Sequence, residues 1–482
     1  MRLLLPLIFI SFLALHSCMD EEDFTSSPRD VLTFSVDSVD FDTLIAGELS
    51  HTMTLLVYNP NKAALHIKSV SLQQGANSIF RVNVDGTALH QGTATDFQLR
   101  SGDSLRIFVN SLTPSTDNDT PVEHTDKLLF ELESGVVQEL PLELHGWDVI
   151  KLQGVEIHED VTYNSRRPYQ VLDSLVVRSG ATLTIAAGTR LFFHKDASLL
   201  VYGRLDVQGS AEENVVFRGD RLGNMFSNQS YDCIPGQWGG IRFAEQSYGN
   251  LVNFADIHSG NYGILCDSSS IDTEKIRIEN SIIHNTSHDC LTLLHVNALV
   301  GNSQLTNSGG NCVTILGGDV RFTHCTIAQF YAFTATRGVA LLFANTDGIS
   351  AYPLQNLSIA NSIVTGYATD EIMGENMGEN MGEETAFNYT FRNCLLNTPT
   401  YEAPEIVNCL WDNDNNEVYR ADNFSPAFDL DRLLYTFTLA PQSVAVGTAD
   451  ANITAETYPL DRLGRTRASA PSMGCYEYVE SK

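Results

Sequence analysis

The stretch that decides the fold is LDSLVVRSGATLTIAAGTRLFFHKDASLLVYGRLDVQGSAEENVVFRG, residues Leu172 to Gly219. Its apolar runs are short: Leu175–Val177, Leu183–Ile185, Arg190–Phe193, Leu199–Val201, Leu205–Val207 and Val215–Phe217. Gly, Asp, Asn or Ser turns separate them. Three such runs recur about every 22 to 25 residues. One unit of that size cannot bury its own apolar face, so it must stack on copies of itself, as a solenoid does. Propeller blades repeat nearer 40 residues and are excluded by the period.

A second marker carries the period downstream. Asn280-Ser281-Ile282 is followed by Asn302-Ser303-Gln304 and His324-Cys325-Thr326, 22 residues apart each time. Asn361-Ser362, Asn393-Cys394 and Asn408-Cys409 continue it with longer and shorter steps. Upstream, Ala255-Asp256-Ile257 takes the equivalent place. Asparagine tolerates a left-handed backbone, so Asn280, Asn302, Asn361, Asn393 and Asn408 are expected at one corner, their amides bonded in a structural ladder. Cys266, Cys290 and Cys312, 24 and 22 apart, are expected to stack on one inner face as buried thiols.

These features resemble the right-handed parallel β-helix repeat proteins. So do GQWGGIRF (Gly236–Phe243) and the closing phrases Asp461-Arg462-Leu463-Gly464-Arg465 and Ser472-Met473-Gly474-Cys475-Tyr476-Glu477. Ser472 stands where that pattern usually has an acid, which puts a salt bridge from there to Arg465 in doubt. The resemblance implies an all-β chain, a right-handed single-stranded parallel β-helix (solenoid) over 149–482. Loops are expected to interrupt it at about 221–235 and 366–388. The second contains TDEIMGENMGENMGEE, Thr369 to Glu384, with no strand pattern and uncompensated charge.

Residues 31–148 read as a small preceding β-sandwich. Runs such as Met53–Tyr58, Phe80–Val84 and Ser104–Val109 alternate and end at Gly, Asn or Pro turns. VYNPNKAALHIKSVSL and LRSGDSLRIFV resemble the immunoglobulin-like modules of the abnormal-spindle and Hydin type. Ser111 to Asp126 is expected as a long exposed loop, with His124 between acids as solvated surface.

The first 17 residues have one Arg and an apolar core, the pattern of a secretion signal. Leu15-His16-Ser17-Cys18 resembles a lipobox, which implies lipid on Cys18 and a membrane anchor. Residues 18–30 then form a tether, whose Asp20-Glu21-Glu22-Asp23 resembles the surface-export signal of lipoproteins of Bacteroides-like bacteria. The expected location is the outer membrane, facing the cell exterior. The net charge of −30 argues against nucleic acid as a partner. Eight cysteines remain beside Cys18, with no CxxC spacing.

Candidate chemistry is sparse. His258, His284, His288 and Asp289 fall in neighbouring coils, with His295 and His324 beyond them, and could form an acid–base site. Trp411, Asp412 and Asp414 suit sugar binding, the ring stacking on a sugar face. No nucleophile elbow, zincin or P-loop motif occurs. No cofactor or metal site is expected. Calcium is the one ion the acidic loop would take, yet it lacks EF-hand carboxylate spacing. The expectation is a non-catalytic cell-surface protein that binds polysaccharide or a surface protein along the coil. The alternatives are a polysaccharide lyase or glycoside hydrolase, and a structural scaffold or adhesin.

Overall fold

The computed structural model describes residues 24–226, 228–376, 385–413 and 415–480. Cys18 and Asp414 lie outside them. The chain divides into two compact units, Met1–Trp147 and Asp148–Lys482.

The first unit holds two five-stranded sheets over one core. Pairing is antiparallel except where Val39–Ile45 runs parallel to Val137–Trp147. In Ser104–Ser111 every second residue is buried, so Leu105, Ile107 and Val109 enter the core while Arg106 faces out. The expected loop is shorter than Ser111–Asp126, because Val122–Leu132 is one strand paired along Val137–Trp147. Its first half is polar because that end faces solvent, and polarity hid it. His124 therefore sits in a ladder opposite Leu144.

The second unit is all-β and built from parallel coils. Each coil supplies one strand to each of three rows. Tyr169–Val171, Leu175–Val177 and Thr182–Ala186 pair in register with Arg190–Phe193, Ser198–Val201 and Arg204–Gln208 of the next coil. The first row is an eleven-stranded sheet and the other two merge into one of seventeen. Inward positions superpose in columns: Val207, Val252, Ile278, Val300, Phe322, Ile359 and Phe391 are each at most 1% exposed. Full burial of such side chains stabilises by roughly 1.5–3 kcal/mol each. At GQWGGIRF, Trp238 stacks on Phe193 of the coil below, 4.3 Å between centroids. Gly240 holds φ +107°, a conformation only glycine takes freely.

The Asn corner lies between the third and first rows. Asn280, Asn302, His324, Asn361, Asn393 and Asn408 all have φ between 50° and 53°. Ala255 is one residue out of place: Phe254, at φ 49°, occupies this corner. Ala255 instead superposes on Ser281, whose Oγ accepts its N–H at 3.0 Å. The amide ladder is interrupted. Asn302 Nδ2 reaches Asn280 Oδ1, and Asn280 Nδ2 reaches Asn253 Oδ1. Asn361 pairs with His324, Asn393 Oδ1 is buried without a partner, and Asn408 is exposed. A hydroxyl or thiol follows each corner residue from Asn280 onward and donates back two residues, as Ser303 Oγ does to Gly301 O at 2.8 Å.

Cys290 and Cys312 do occupy neighbouring levels, since Leu291 pairs with Val313. Cys266 does not join them; it pairs with Leu293, three residues past Cys290, because that coil is longer than the spacing of the two cysteines. All eight described cysteines are free, and only Cys409 is less than fully buried.

Both expected insertions carry structure. Asn224–Phe226 pairs antiparallel with Gln229–Ser230. Ile372–Glu375 is a strand in register with Leu341–Ala344, so the acidic stretch is not loop throughout; residues 377–384 lie outside the described set. Backbone pairing with the coil beneath needs no apolar alternation, so polarity misled here too. Glu371, assigned to the uncompensated charges, is buried and accepts N–H groups from Ala340 and Ala368.

The last seventy residues turn back over the eleven-stranded sheet. Tyr476 OH donates to Gln304 Oε1 at 2.8 Å, Asn302 Nδ2 to Leu460 O at 3.2 Å, and Arg462 to Asn214 Oδ1 at 3.1 Å. Gln304–Ser308, Thr326–Gln329 and Ile363–Gly366 are consequently buried at every residue. Phe424, Phe437, Leu439 and Met473 form a second core against Ala328, Phe330 and Ile363. The helix Ala451–Thr457 in this segment is capped by Asp450, which accepts from Asn452 and Ile453. Arg465 finds its acid four residues back, at Asp461 (2.8 Å), and Arg467 pairs with Glu477. Ser472 instead supports Glu477 by two hydrogen bonds.

Candidate active site

The outward residues of the eleven-stranded sheet stack as strictly as the inward ones. Ala255 and Ile257 point into the core, so Asp256 and His258 point out. On the next coil Ile283 points in, so Ile282 and His284 point out. Register places His258 beside His284, with ring centroids 5.0 Å apart.

Asp256 joins the two rings. Its Oδ1 lies 2.9 Å from His258 Nδ1 and 3.2 Å from His284 Nε2. His258 Nε2 meets Asp232 Oδ1 at 3.3 Å, and Asp232 also pairs with Arg218. An ionised carboxylate only accepts hydrogen bonds, so each nitrogen facing one carries a proton. His258 is therefore an imidazolium. Burial opposes that charge, but Asp256 and Asp232 outweigh burial and push its pKa up to about 9. Burial likewise opposes the charge on Asp256 and Asp232. The facing imidazoles nevertheless hold Asp256 well below the usual carboxylate range, and His258 with Arg218 lowers Asp232. His284 Nε2 carries its proton toward Asp256, which leaves Nδ1 as the basic nitrogen.

His284 lines a cleft of about 420 Å³ that opens to solvent on one side. The C-terminal segment forms its opposite wall with Leu433, Leu434, Tyr435, Arg462 and Tyr476, and Gln304 and Thr306 extend its floor. Leu434 and Leu463 are half exposed on its border. Ligand atoms of Asp256, His258 and His284 lie within 4.8 Å of one another, the spacing of a metal site. The proton-sharing pattern suits this set better, because an ion there would require His258 to surrender a proton held by two carboxylates. In the first unit Glu123, Glu143 and His145 also converge, on an exposed strand pair.

His288 and Asp289 do not join the cluster. They follow the next corner, where His288 stacks on Tyr262 at 4.8 Å and Asp289 accepts from Asn311 N and Thr292 Oγ1. His324 is buried in the Asn corner beside Thr454 and Gly474, and burial pushes its pKa well down. His295 turns a corner at φ 46° near Tyr352. Of the acidic candidates near Trp411, Asp412 fails for a packing reason. Asp412 is fully buried, accepting from Thr365, Arg420 and Asn423, and Trp411 is partly buried against the core, 6.0 Å from Tyr401. The members that sequence reading missed are Arg218, Asp232, Asp256 and Arg462. Aligning ADIH with SIIH and marking outward positions would have found Asp256.

No protein-family model and no curated protein matches the chain. Among solved structures, the catalytic unit of a thermostable GH87 alpha-1,3-glucanase from Streptomyces thermodiastaticus is 13% identical, over 75% of this chain and 74% of that one, with TM-score 0.28. Dex49A from Penicillium minioluteum is 10% identical over 76% and 77%, with TM-score 0.25. A family 123 glycoside hydrolase from Clostridium perfringens is 6% identical with TM-score 0.19, and the chain spans about a quarter of it (26% of each). Scores this low carry no argument about fold or chemistry.

Proposed function

We propose that this chain is a carbohydrate-active enzyme that cleaves a polysaccharide by proton transfer at His284, in a cleft on the flank of a right-handed parallel β-helix. One observation carries the reading: the contact from Asp256 to His284, the ring that lines the cleft. Asp256 fixes the ring and its tautomer, and His258 fixes Asp256, so the basic nitrogen is held ready at no cost at the moment of reaction. Hydrolysis by two carboxyl groups requires one of them protonated, and both carboxylates here are held ionised. A histidine base suits the site better. A cleft of about 420 Å³ with the half-exposed Leu434 and Leu463 on its border has room for a short stretch of a sugar chain. Export, lipid on Cys18 and display on the outer membrane complete the proposal, resting on the Leu15–Cys18 motif and the acidic residues after it.

The experiment is incubation of the protein with a panel of neutral and acidic polysaccharides, followed by chromatography of the products, with His284→Ala beside it. Products formed by the wild type and lost in the variant support the reading. Polymer bound but unchanged throughout would return the protein to the non-catalytic binding class.

A further inference from the structure

Arg462 is only 3% exposed, yet it lines the cleft. Its side chain makes one hydrogen bond, from a terminal nitrogen to the neutral amide of Asn214 at 3.1 Å. Its Nε is buried with no partner. Among the described residues it has no carboxylate within ion-pairing distance, whereas neighbouring Arg465 and Arg467 have Asp461 and Glu477. The other charged groups of the cleft are satisfied: Asp232 by Arg218 and His258, His284 by Asp256. A guanidinium withdrawn from water without a counter-charge is costly, and the cost is removed when a carboxylate binds it.

We infer that Arg462 is a carboxylate-binding subsite, and that the sugar polymer entering this cleft is acidic, built from uronate units. The inference rests on the carbohydrate reading for the sugar and on Arg462 alone for the acid. Gln304 and Tyr476, in the same cleft, are bonded to each other, whereas Arg462 keeps a polar atom there that is not satisfied. The acidic surface as a whole repels polyanions, so the attraction is local and screened groups elsewhere do not set it. Lysine would serve less well than arginine, whose planar fork matches a carboxylate in two bonds.

The test is calorimetric titration of the intact protein with short oligomers of galacturonate, glucuronate or mannuronate, each against its methyl ester. The ester keeps the carbon skeleton and removes the charge. An acid form should bind about ten- to a hundredfold tighter than its ester, and that gap should collapse in Arg462→Gln. Equal binding of acid and ester, no binding of any acid, or a gap that persists in a folded Arg462→Gln overturns the assignment. If that variant does not fold, the acid–ester comparison on the wild type decides. Acid-selective binding without cleavage upholds Arg462 and sinks the enzymatic reading; cleavage of a neutral polymer without acid preference does the reverse.

Discussion

Asn302 Nδ2 donates to Asn280 Oδ1 at 2.7 Å across one coil, and the two residues share a left-handed backbone at φ 52° and 51°. Asn302 Oδ1 in turn accepts from the buried guanidinium of Arg467 at 2.7 Å. Asn302→Ala should therefore cost about 3 kcal/mol, from lost hydrogen bonds and from a Cβ that no longer has a polar group to offset its strain. Asn302→Gly loses the same bonds without the strain and should be about 1 kcal/mol less severe. Urea unfolding of both variants checks this; equal losses would show that the backbone conformation contributes nothing.

His284→Ala should lower cleavage by roughly a hundredfold to ten-thousandfold and leave the melting temperature within a degree or two, because the ring is partly exposed at the cleft. Asp256→Asn should lower the rate as well and shift the pH profile, since it no longer fixes the tautomer. A rate unchanged by either would remove the dyad from the mechanism.

The pH dependence of stability follows from His258. Its folded pKa, about 9, lies above the unfolded value of 6.5, so its contribution is complete below 6.5 and fades as pH rises through about 9. The loss is on the order of 3 kcal/mol. Asp256, depressed in the folded state, acts with the opposite sign and loses its contribution in acid. Thermal unfolding followed from pH 6 to 10 should show the alkaline decline in the wild type and a flatter curve in His258→Gln. Identical curves would mean that the ring is neutral.

Much of the coil was legible because the chain repeats. Leu175–Val177 and Arg190–Phe193 could be bounded to the residue, since turns such as Ser179-Gly180, Ala187-Gly188 and Lys195-Asp196 lie close by. The stacking of His258 on His284 was legible from spacing. The carboxylates that make those rings chemically distinctive were not. Asp232 arrives from the insertion at 221–235, and Arg462 from the distant C-terminal segment that turns back over the sheet. Asp412 misled for the same reason: a polar run looks exposed until the residues that cover it, Arg420 and Asn423, are known.

Asp412→Ala should destabilise the protein by about 2–4 kcal/mol, because it leaves the buried donors of Thr365, Arg420 and Asn423 without an acceptor. Affinity for oligosaccharide should be unchanged once the folded fraction is accounted for. A selective loss of sugar binding in a fully folded variant would reinstate Asp412 as a ligand residue.

Cys18→Ala should shift the protein from the membrane fraction to the soluble fraction, or block removal of the first 17 residues. Unchanged detergent partitioning and processing would count against lipid attachment.

The returning C-terminal segment also constrains the order in which the molecule can be completed. Coils near Asn214 emerge from the ribosome well before Arg462, which bonds to Asn214 from 248 residues further along the chain. Until then Gln304, Thr326 and Ile363 present a bare sheet face. Contacts closing so long a span are entropically slow to form. A chain cut short after Trp411 would keep its coils but leave that apolar sheet face open to association with its neighbours.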